Sequence, residues 1–376
     1  MEFILENLAE IGWQQIVMWV IGGLLIFLAI KFEMEPTLLL PMGFGAILVN
    51  LPFSKIFGTW DNAIGDFLHD GPLGVLFDAG IANELFPLLL FIGIGAMIDF
   101  GPLLSNPHLM IFGAAAQFGI FFTLGLASFF FPLKDAASIA IIGAADGPTS
   151  IFVANTLGSD YLGAIMVAAY SYMALVPIIQ PPVIKLLTTK KERLIRMDYQ
   201  AASVSKTTRI LFPIVITIVT GLFAPNAIEL VGFLMFGNLI RECGVLDSLS
   251  ETAQKVLANL VTIFLGISIA TQMRADQFLA PETLLILGLG LFAFVFDTAG
   301  GVLFAKFLNL FLKKKLNPMI GAAGISAFPM SGRIVHALGR KEDPSNFLLM
   351  HSIGVNVSGH IASVIAGGLI LGFFNA

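Results

Sequence analysis

Long apolar runs recur along the whole of this sequence, and they limit the possible folds more than any other feature. Of the 376 residues, 57% are hydrophobic and only 12% are charged, whereas soluble domains average about 45–50% apolar and about 25% charged residues. Apolar runs of this length satisfy their backbone hydrogen bonds in a bilayer as helices, since a membrane barrel needs short alternating strands. The sequence therefore predicts an all-α polytopic membrane protein without a sizeable soluble domain.

The runs divide into crossings and interrupted segments. A crossing must span about 30 Å of hydrocarbon, and ten runs fit: 13–30, 38–51, 85–98, 110–131, 162–187, 210–223, 227–240, 256–270, 283–310 and 347–373. Two further segments are broken by Gly and Pro, namely 136–155 and 317–331. The start, MEFILENLAEIGW, carries glutamates and no basic residue, so we do not expect a cleaved signal peptide and expect the first crossing to be retained.

The distribution of basic residues predicts the orientation, because loops rich in Lys and Arg stay in the cytoplasm. If the linker 188–209 is cytoplasmic, all but three of the 20 Lys and Arg residues fall at cytoplasmic ends, the exceptions being Lys55, Lys134 and Arg274. Both termini then face outward. The acidic loop 52–84 is then external as well.

Two pairs of similar segments indicate an internal repeat. FIGIGAMIDFGPLL, from Phe91, is similar to FLGISIATQMRADQFL, from Phe264, and IIGAADGPTSIF, from Ile141, is similar to MIGAAGISAFPM, from Met319. Each half has an odd number of crossings, so the second half should be inverted. Inverted repeats with broken helices are typical of secondary transporters, whose sites lie where the breaks meet. The predicted organisation is a first membrane repeat (1–187), a cytoplasmic basic linker (188–209) and an inverted second repeat (210–376).

The stretch GAADGPTSI places Asp146 inside the first broken segment. An ionisable side chain within a bilayer costs several kcal/mol and usually marks a functional site. Gly147 and Pro148 break the helix and free backbone carbonyls, which together with the carboxylate and the hydroxyls of Thr149 and Ser150 would supply oxygen ligands for Na⁺ or H⁺. The alternative is structural, because Asp before Gly-Pro is also an ordinary helix N-cap.

The second broken segment, NPMIGAAGISAFPMSGR, supplies Asn317, Gly321, Ser326 and Arg333. Its Gly and Pro residues are equally explained as kinks. The guanidinium of Arg333, at the predicted cytoplasmic mouth, would suit a carboxylate or ureido-carboxylate. It is also explained as one more cytoplasmic arginine.

Polar residues recur in the crossing after each broken segment. AYSYMALVPIIQPP contains Tyr170 and Tyr172, and HSIGVNVSGHIAS contains Asn356 and His360. Tyr172 and Asn356 occupy corresponding places in the two halves, although a lone membrane Tyr or Asn usually joins helices. A second intramembrane acid, Asp297, is either a proton carrier or a buried hydrogen-bond partner.

Several classes of function find no support in the sequence. No GxxxxGK[ST], HExxH, haem or flavin motif occurs, so neither ATP hydrolysis nor a redox cofactor is predicted. The single cysteine, Cys243, excludes an intrachain disulfide, and the histidines lack metal-ligand spacing. The residues alone predict an ion-coupled transporter.

At GAADGPTSI, AAYSYMALVPIIQPP, NPMIGAAGIS and FLLMHSIGVNVSGHI the sequence resembles the membrane β subunit of the sodium-pumping biotin-dependent decarboxylases, from about Leu38 onward. The resemblance implies a bacterial or archaeal cell-membrane enzyme that decarboxylates carboxybiotin, consumes a proton and exports Na⁺. It also implies partners: a biotin carrier protein, a carboxyltransferase α subunit, a small γ/δ-type membrane subunit and further copies of the chain.

The resemblance further implies residue roles. Predicted Na⁺ ligands are Asp146, Asn317, Gly321, Ser326, Asn356 and Tyr172, and predicted catalytic residues are Arg333, Tyr172 and Ser326, with Arg333 holding carboxybiotin. Two departures, Asp297 and PMSGR in place of PMAAR, favour methylmalonyl-CoA or glutaconyl-CoA over oxaloacetate as the substrate of the partner. Two alternatives remain: a Na⁺-coupled secondary carboxylate transporter without decarboxylase chemistry, and a passive membrane anchor for soluble subunits.

Overall fold

The computed structural model describes residues 11–52, 56, 58–61, 66–197 and 204–374, without the side chains of 58–61 and 66–70. Residues 1–10, 53–55, 57, 62–65, 198–203 and 375–376 lie outside it, and with them parts of the predicted N-terminal start, acidic loop and linker. The described chain is helical apart from an antiparallel hairpin of strands β1 (Gly58–Asp61) and β2 (Asp66–Asp70).

The helices of the first half follow the predicted order of crossings. They are α1 (Trp13–Phe32), α2 (Pro36–Val49), α3 (Pro72–Phe77), α4 (Leu85–Met97), α5 (Gly101–Ser105), α6 (Met110–Ala116), α7 (Phe118–Ala127), α8 (Leu133–Ala140), α9 (Gly147–Thr156), α10 (Leu162–Leu187) and α11 (Lys190–Arg193). Short π-helical and 3₁₀ segments extend some of them: Asp78–Ala82, Pro107–Leu109 and Ile141–Ala144.

The second half of the chain is also helical. Its helices are α12 (Lys206–Phe223), α13 (Ile228–Glu242), α14 (Asp247–Glu251), α15 (Ala258–Ile269), α16 (Ala275–Phe278), α17 (Pro281–Phe311), α18 (Met330–Glu342) and α19 (Leu349–Phe374). The accompanying 3₁₀ and π-helical segments are Pro225–Ala227, Thr252–Leu257, Ala270–Gln272 and Pro318–Gly324.

The described residues contain seven helices long and apolar enough to cross a membrane. An eighth span results if the pair Pro72–Ala82 and Leu85–Met97, bent by 62°, is counted as one. The prediction of an all-helical multi-pass membrane protein is therefore confirmed. Ten crossings remain a prediction, because α2 and α13 have only 14 and 15 residues.

One predicted crossing, 110–131, is interrupted. Gln117 separates α6 from α7, and α7 ends at Ala127. Asp297 of α17 fills the interruption: a Cβ added to Gly119 would lie 2.1 Å from its Oδ1. The side chain of another helix thus occupies the first turn of α7, and periodicity within 110–131 cannot reveal this contact.

The packing of the helices is reciprocal between the halves. Helix α2 packs against α15, and α13 packs against α4; likewise α10 packs against α17, and α19 packs against α6. Helices α1 and α12 expose most of their apolar side chains, whereas α19 is mostly buried. Helix α19 therefore lies at the centre, next to both broken segments.

Candidate functional site

The first broken segment bends at Ala145. The 3₁₀ turn Ile141–Ala144 ends there with φ 53°, a left-handed backbone that non-glycine residues rarely adopt and that costs about 1–3 kcal/mol. Asp146 then has an extended backbone, and α9 begins at Gly147 with Pro148 in its first turn, where the missing N–H is not needed. This bend holds the Asp146 side chain in the interior, only 2% exposed.

The two carboxylate oxygens of Asp146 have different partners. Oδ1 accepts a long hydrogen bond, 3.4 Å, from the backbone N–H of Thr149 and so caps α9. Oδ2 accepts hydrogen bonds from Ser326 Oγ at 3.0 Å and Ser363 Oγ at 2.9 Å. The two serine oxygens are 3.1 Å apart. The capping interpretation is thus correct for Oδ1, while Oδ2 lies among hydroxyl oxygens from the second half of the chain.

The two broken segments meet at this position. The backbone N–H of Ser326 donates to the carbonyl of Ala144 at 2.9 Å. Nearby, Asn356 of α19 donates from Nδ2 to the carbonyl of Ile325 at 2.7 Å. Irregular backbone from both halves is therefore hydrogen-bonded directly beside Asp146. Helix α19 holds the second broken segment through the bond from Asn356 to Ile325.

His360 completes the cluster. Its Nδ1 lies 2.6 Å from Ser326 Oγ, 3.1 Å from the Ser326 carbonyl oxygen and 4.0 Å from Asp146 Oδ2. Its Nε2 is buried without a hydrogen-bond partner in the described structure, and its ring packs against Phe91 with centroids 5.6 Å apart. The imidazole is therefore hydrogen-bonded to the serine that also bonds the carboxylate.

A cavity of about 240 Å³ opens onto this cluster. Its lining includes Asp146, Ser326, His360 and Tyr170, all of which are buried. The Tyr170 hydroxyl is buried, and no described group bonds to it. The site thus combines one carboxylate with hydroxyl oxygens in a confined space, a ligand set that suits a hard cation.

Three predicted ligands contact other parts of the chain in this arrangement. The Tyr172 hydroxyl donates to the Leu287 carbonyl of α17. Asn317 donates from Nδ2 to the carbonyls of Arg193 and Ile195 in the linker, at 2.9 Å each.

Gly321, the third, faces Gly301 of α17: a Cβ added to it would lie 2.0 Å from the Gly301 carbonyl oxygen. Of the six predicted ligands, Asp146 and Ser326 are hydrogen-bonded to each other, and Asn356 is hydrogen-bonded to Ile325, the residue before Ser326.

Arg333 lies on α18 and is exposed to solvent. The positive charge of Arg333 acts on Glu35: burial raises the pKa of Glu35, and the Arg333 guanidinium partly opposes that rise. Glu35 lines the same cavity as Asp146. In the described structure Arg333 is not part of the cavity lining, so its predicted contact with a carboxylate would be made from the solvent side.

The predicted site residues did not include His360, Ser363 or Tyr170, which lie at or beside Asp146, whereas the predicted Tyr172 points elsewhere in this arrangement. Residues two apart on a helix point about 200° apart, so with Tyr170 on the cavity, Tyr172 faces α17. Asn356, His360 and Ser363 are spaced i, i+4 and i+7 on α19, which places them on one helical face. That spacing could have added His360 and Ser363 to the predicted site.

Comparison with known proteins assigns the family. The family described as "Na+-transporting oxaloacetate decarboxylase beta subunit" matches residues 14–374. The chain belongs to this family. The methylmalonyl-CoA decarboxylase subunit beta of Propionigenium modestum is 48% identical over 96% of this chain and 94% of its own length.

Two further relatives of this β-subunit chain show the same extent of similarity. The methylmalonyl-CoA decarboxylase subunit beta of Veillonella parvula is 49% identical over 94% of this chain and 92% of its own length. The oxaloacetate decarboxylase beta chain of Klebsiella pneumoniae is 45% identical over 97% of this chain and 96% of its own length. Relatives with two different substrates are thus similar to it over nearly their whole length.

Proposed function

We propose that this β subunit is the membrane part of a sodium-pumping decarboxylase complex that decarboxylates carboxybiotin, consumes a proton and exports Na⁺. The observation that carries the proposal is the Asp146 carboxylate, buried where the two broken segments meet and bonded to Ser326 and Ser363. A carboxylate in a membrane interior needs a cation, a proton or hydrogen-bond donors. Here it has donors whose oxygens would also serve Na⁺ once the hydroxyl protons turn away.

Coupling requires that Na⁺ bind two arrangements of the core differently. Ser326 is bonded both to Asp146 and to His360, so a displacement of Ser326 would change the oxygen ligands available to the ion. Carboxybiotin, on a partner, supplies the carboxylate that is lost as CO₂. Arg333 would hold that carboxylate by a bidentate contact at the mouth of the cavity. We propose that Asn317, Gly321 and Tyr172 approach the ion only in a second arrangement, after the broken segment 317–331 has moved.

We also propose that residues 1–187 and 210–376 are inverted repeats joined by a cytoplasmic linker (188–209), with ten crossings and two broken segments. Reciprocal packing of α2 on α15 and of α13 on α4 supports this organisation. So does the direct bond between the breaks, from Ser326 N–H to the Ala144 carbonyl. The short helices α2 and α13 would then cross only as buried or tilted elements.

The proposed partners are a biotin carrier protein, a carboxyltransferase α subunit and a small γ/δ-type membrane subunit, together with further copies of the chain, in a bacterial or archaeal cell membrane. The exposed apolar surfaces of α1 and α12 support lipid or subunit contacts there. Asp297 and the PMSGR segment favour an acyl-CoA substrate for the partner, such as methylmalonyl-CoA or glutaconyl-CoA.

The test uses the intact complex in inverted vesicles. Asp146→Asn keeps the size of the side chain and removes its charge, so we expect loss of both Na⁺ uptake and Na⁺-dependent release of CO₂ from carboxybiotin. Asp160→Asn makes the same substitution at an exposed position outside the cavity lining, so it should leave both activities measurable. Unchanged coupled transport in Asp146→Asn would refute the proposal. Na⁺-driven carboxylate uptake without CO₂ release would instead identify a secondary transporter.

A further inference from the structure

The cavity above Asp146 contains a second carboxylate that the proposed function does not use. Glu35 lines it together with Asp146, and these are the two acids in its described lining, which has no Lys or Arg. Neutral oxygen-bearing side chains from α2, α15 and the π-helical turn before α15 complete the polar wall: Thr37, Gln254, Asn259 and Thr262. A confined cleft with charges of one sign concentrates ions of the opposite sign.

The backbone around Glu35 directs its side chain into this cleft. Glu33 and Glu35, in the short connection between α1 and α2, both have left-handed backbones, with φ 52° and 37°. Such non-glycine conformations are strained and tend to occur at functional sites. Glu33 is exposed, whereas Glu35 is partly buried against the cavity. Glu33 and Glu35 therefore share a left-handed backbone, but only Glu35 lines the cavity that contains Asp146.

The inner end of the same cavity presents polar groups without partners in the described structure. The Tyr170 hydroxyl belongs to a side chain only 1% exposed, and His360 Nε2 to one only 3% exposed. Unpaired buried polar groups cost free energy unless a ligand or water meets them. The cavity is therefore built to receive a polar or charged ligand beside Asp146.

We propose that Glu35 is the entry group through which Na⁺ reaches Asp146 from the cytoplasmic side. Its carboxylate attracts the ion at the mouth, and the neutral oxygens of Thr37, Asn259 and Thr262 line the way inward. The inference rests on the proposed function, since it assigns a path to the same ion. Glu35 is a positioning residue for the cation and does not contact the group that is decarboxylated.

Arg333 has a second effect in this arrangement. Burial raises the pKa of Glu35, and the positive charge of the Arg333 guanidinium partly opposes that rise. Arg333 would therefore bind the carboxylate of carboxybiotin close to the place where Glu35 would bind the ion. The experiment must separate the effect of a Glu35 substitution on Na⁺ dependence from its effect on carboxybiotin dependence.

The experiment measures decarboxylation by the intact complex as Na⁺ is varied, with choline keeping the ionic strength constant. For Glu35→Gln we expect the Na⁺ concentration at half-maximal rate to rise about tenfold, the lower end of the range for electrostatic focusing. The rate at saturating Na⁺ and the carboxybiotin concentration at half-maximal rate should stay within about twofold of wild type. Glu35→Asp, which keeps the charge, should recover most of the Na⁺ affinity.

Glu33→Gln is the matched control, because it removes one charge from the same connection at an exposed position outside the cavity. Equal Na⁺ dependence in Glu35→Gln and Glu33→Gln would overturn the proposal. A change confined to the carboxybiotin dependence would also overturn it, and would make Glu35 a partner of Arg333 alone. Absence of Na⁺-dependent decarboxylation in the wild-type complex would refute the proposed function itself, a different outcome from either of these.

Discussion

Replacement of Ser363 by Ala isolates one oxygen of the proposed sodium site. Ser363 Oγ donates to Asp146 Oδ2 at 2.9 Å and lies 3.1 Å from Ser326 Oγ. The substitution removes one of the two hydroxyl donors on that carboxylate oxygen and adds no atom. The carboxylate is only 2% exposed, so bulk water does not replace the lost donor.

The expected magnitude follows from the two states of the site. Without Na⁺, loss of a hydrogen bond to a charged group costs about 1.5–3 kcal/mol of stability. With Na⁺, the variant loses an ion ligand, and we expect this loss to exceed that of the hydrogen bond. If the ion then binds tenfold more weakly, the Na⁺-dependent part of the stability falls by about 1.4 kcal/mol at saturating ion.

The assay is thermal unfolding of the purified protein in Na⁺ and in choline. Ser363→Ala should lower the melting temperature in both and should reduce the difference between them. Ser358→Ala is the control: it is buried on the same helix, but its hydroxyl donates to the carbonyls of Leu109 and Val355. That variant should shift both curves equally. A wild-type Na⁺ response in folded Ser363→Ala would show that this oxygen does not bind the ion.

Two further predictions concern packing and pH. Gly301→Ala should lower the free energy of unfolding by about 1–3 kcal/mol or more, because its Cβ would lie 2.1 Å from a backbone carbonyl oxygen of the second broken segment. Size-exclusion chromatography should then show less monodisperse protein. Gly288→Ala, in open space on the same helix, should behave as wild type. Burial alone raises the pKa of Glu192, but hydrogen bonds from Thr189 and Lys306 outweigh it and leave the pKa below 4.5. Its stabilising contribution is therefore complete above pH 4.5 and is lost as pH falls through the lower folded pKa. Glu192→Gln should lose less melting temperature than wild type between pH 6 and pH 3; an identical acid dependence would contradict this.

Much of the helical framework could be predicted from the sequence, because apolar length and Gly-Pro breaks are local properties. Helix α10 coincides with the predicted crossing 162–187, and the first break falls inside the predicted segment 136–155. Asp146 was identified for a local reason too, since an acid beside a helix break is conspicuous between apolar runs. These features need no knowledge of the neighbouring helices.

The remainder of the site depends on contacts between distant parts of the chain. Ser363 is 217 residues from Asp146, and no local pattern names it as a partner. Choosing between Tyr170 and Tyr172 requires the rotation of α10 about its axis, which packing against α17 determines. Asn317 looks like a ligand in sequence, but its amide is used by the linker carbonyls of Arg193 and Ile195.

The linker contact has a mechanical consequence for transport. Asn317 begins the second broken segment, and its amide fastens that segment to the connection between the two halves. Nine residues later Ser326 is bonded to Asp146 of the first half. A displacement of one half relative to the other must therefore strain either the linker bonds or the cluster around the ion. Sodium bound at Asp146 would oppose rupture of the cluster, so the occupied and empty sites would favour different positions of the two halves, as coupled transport requires.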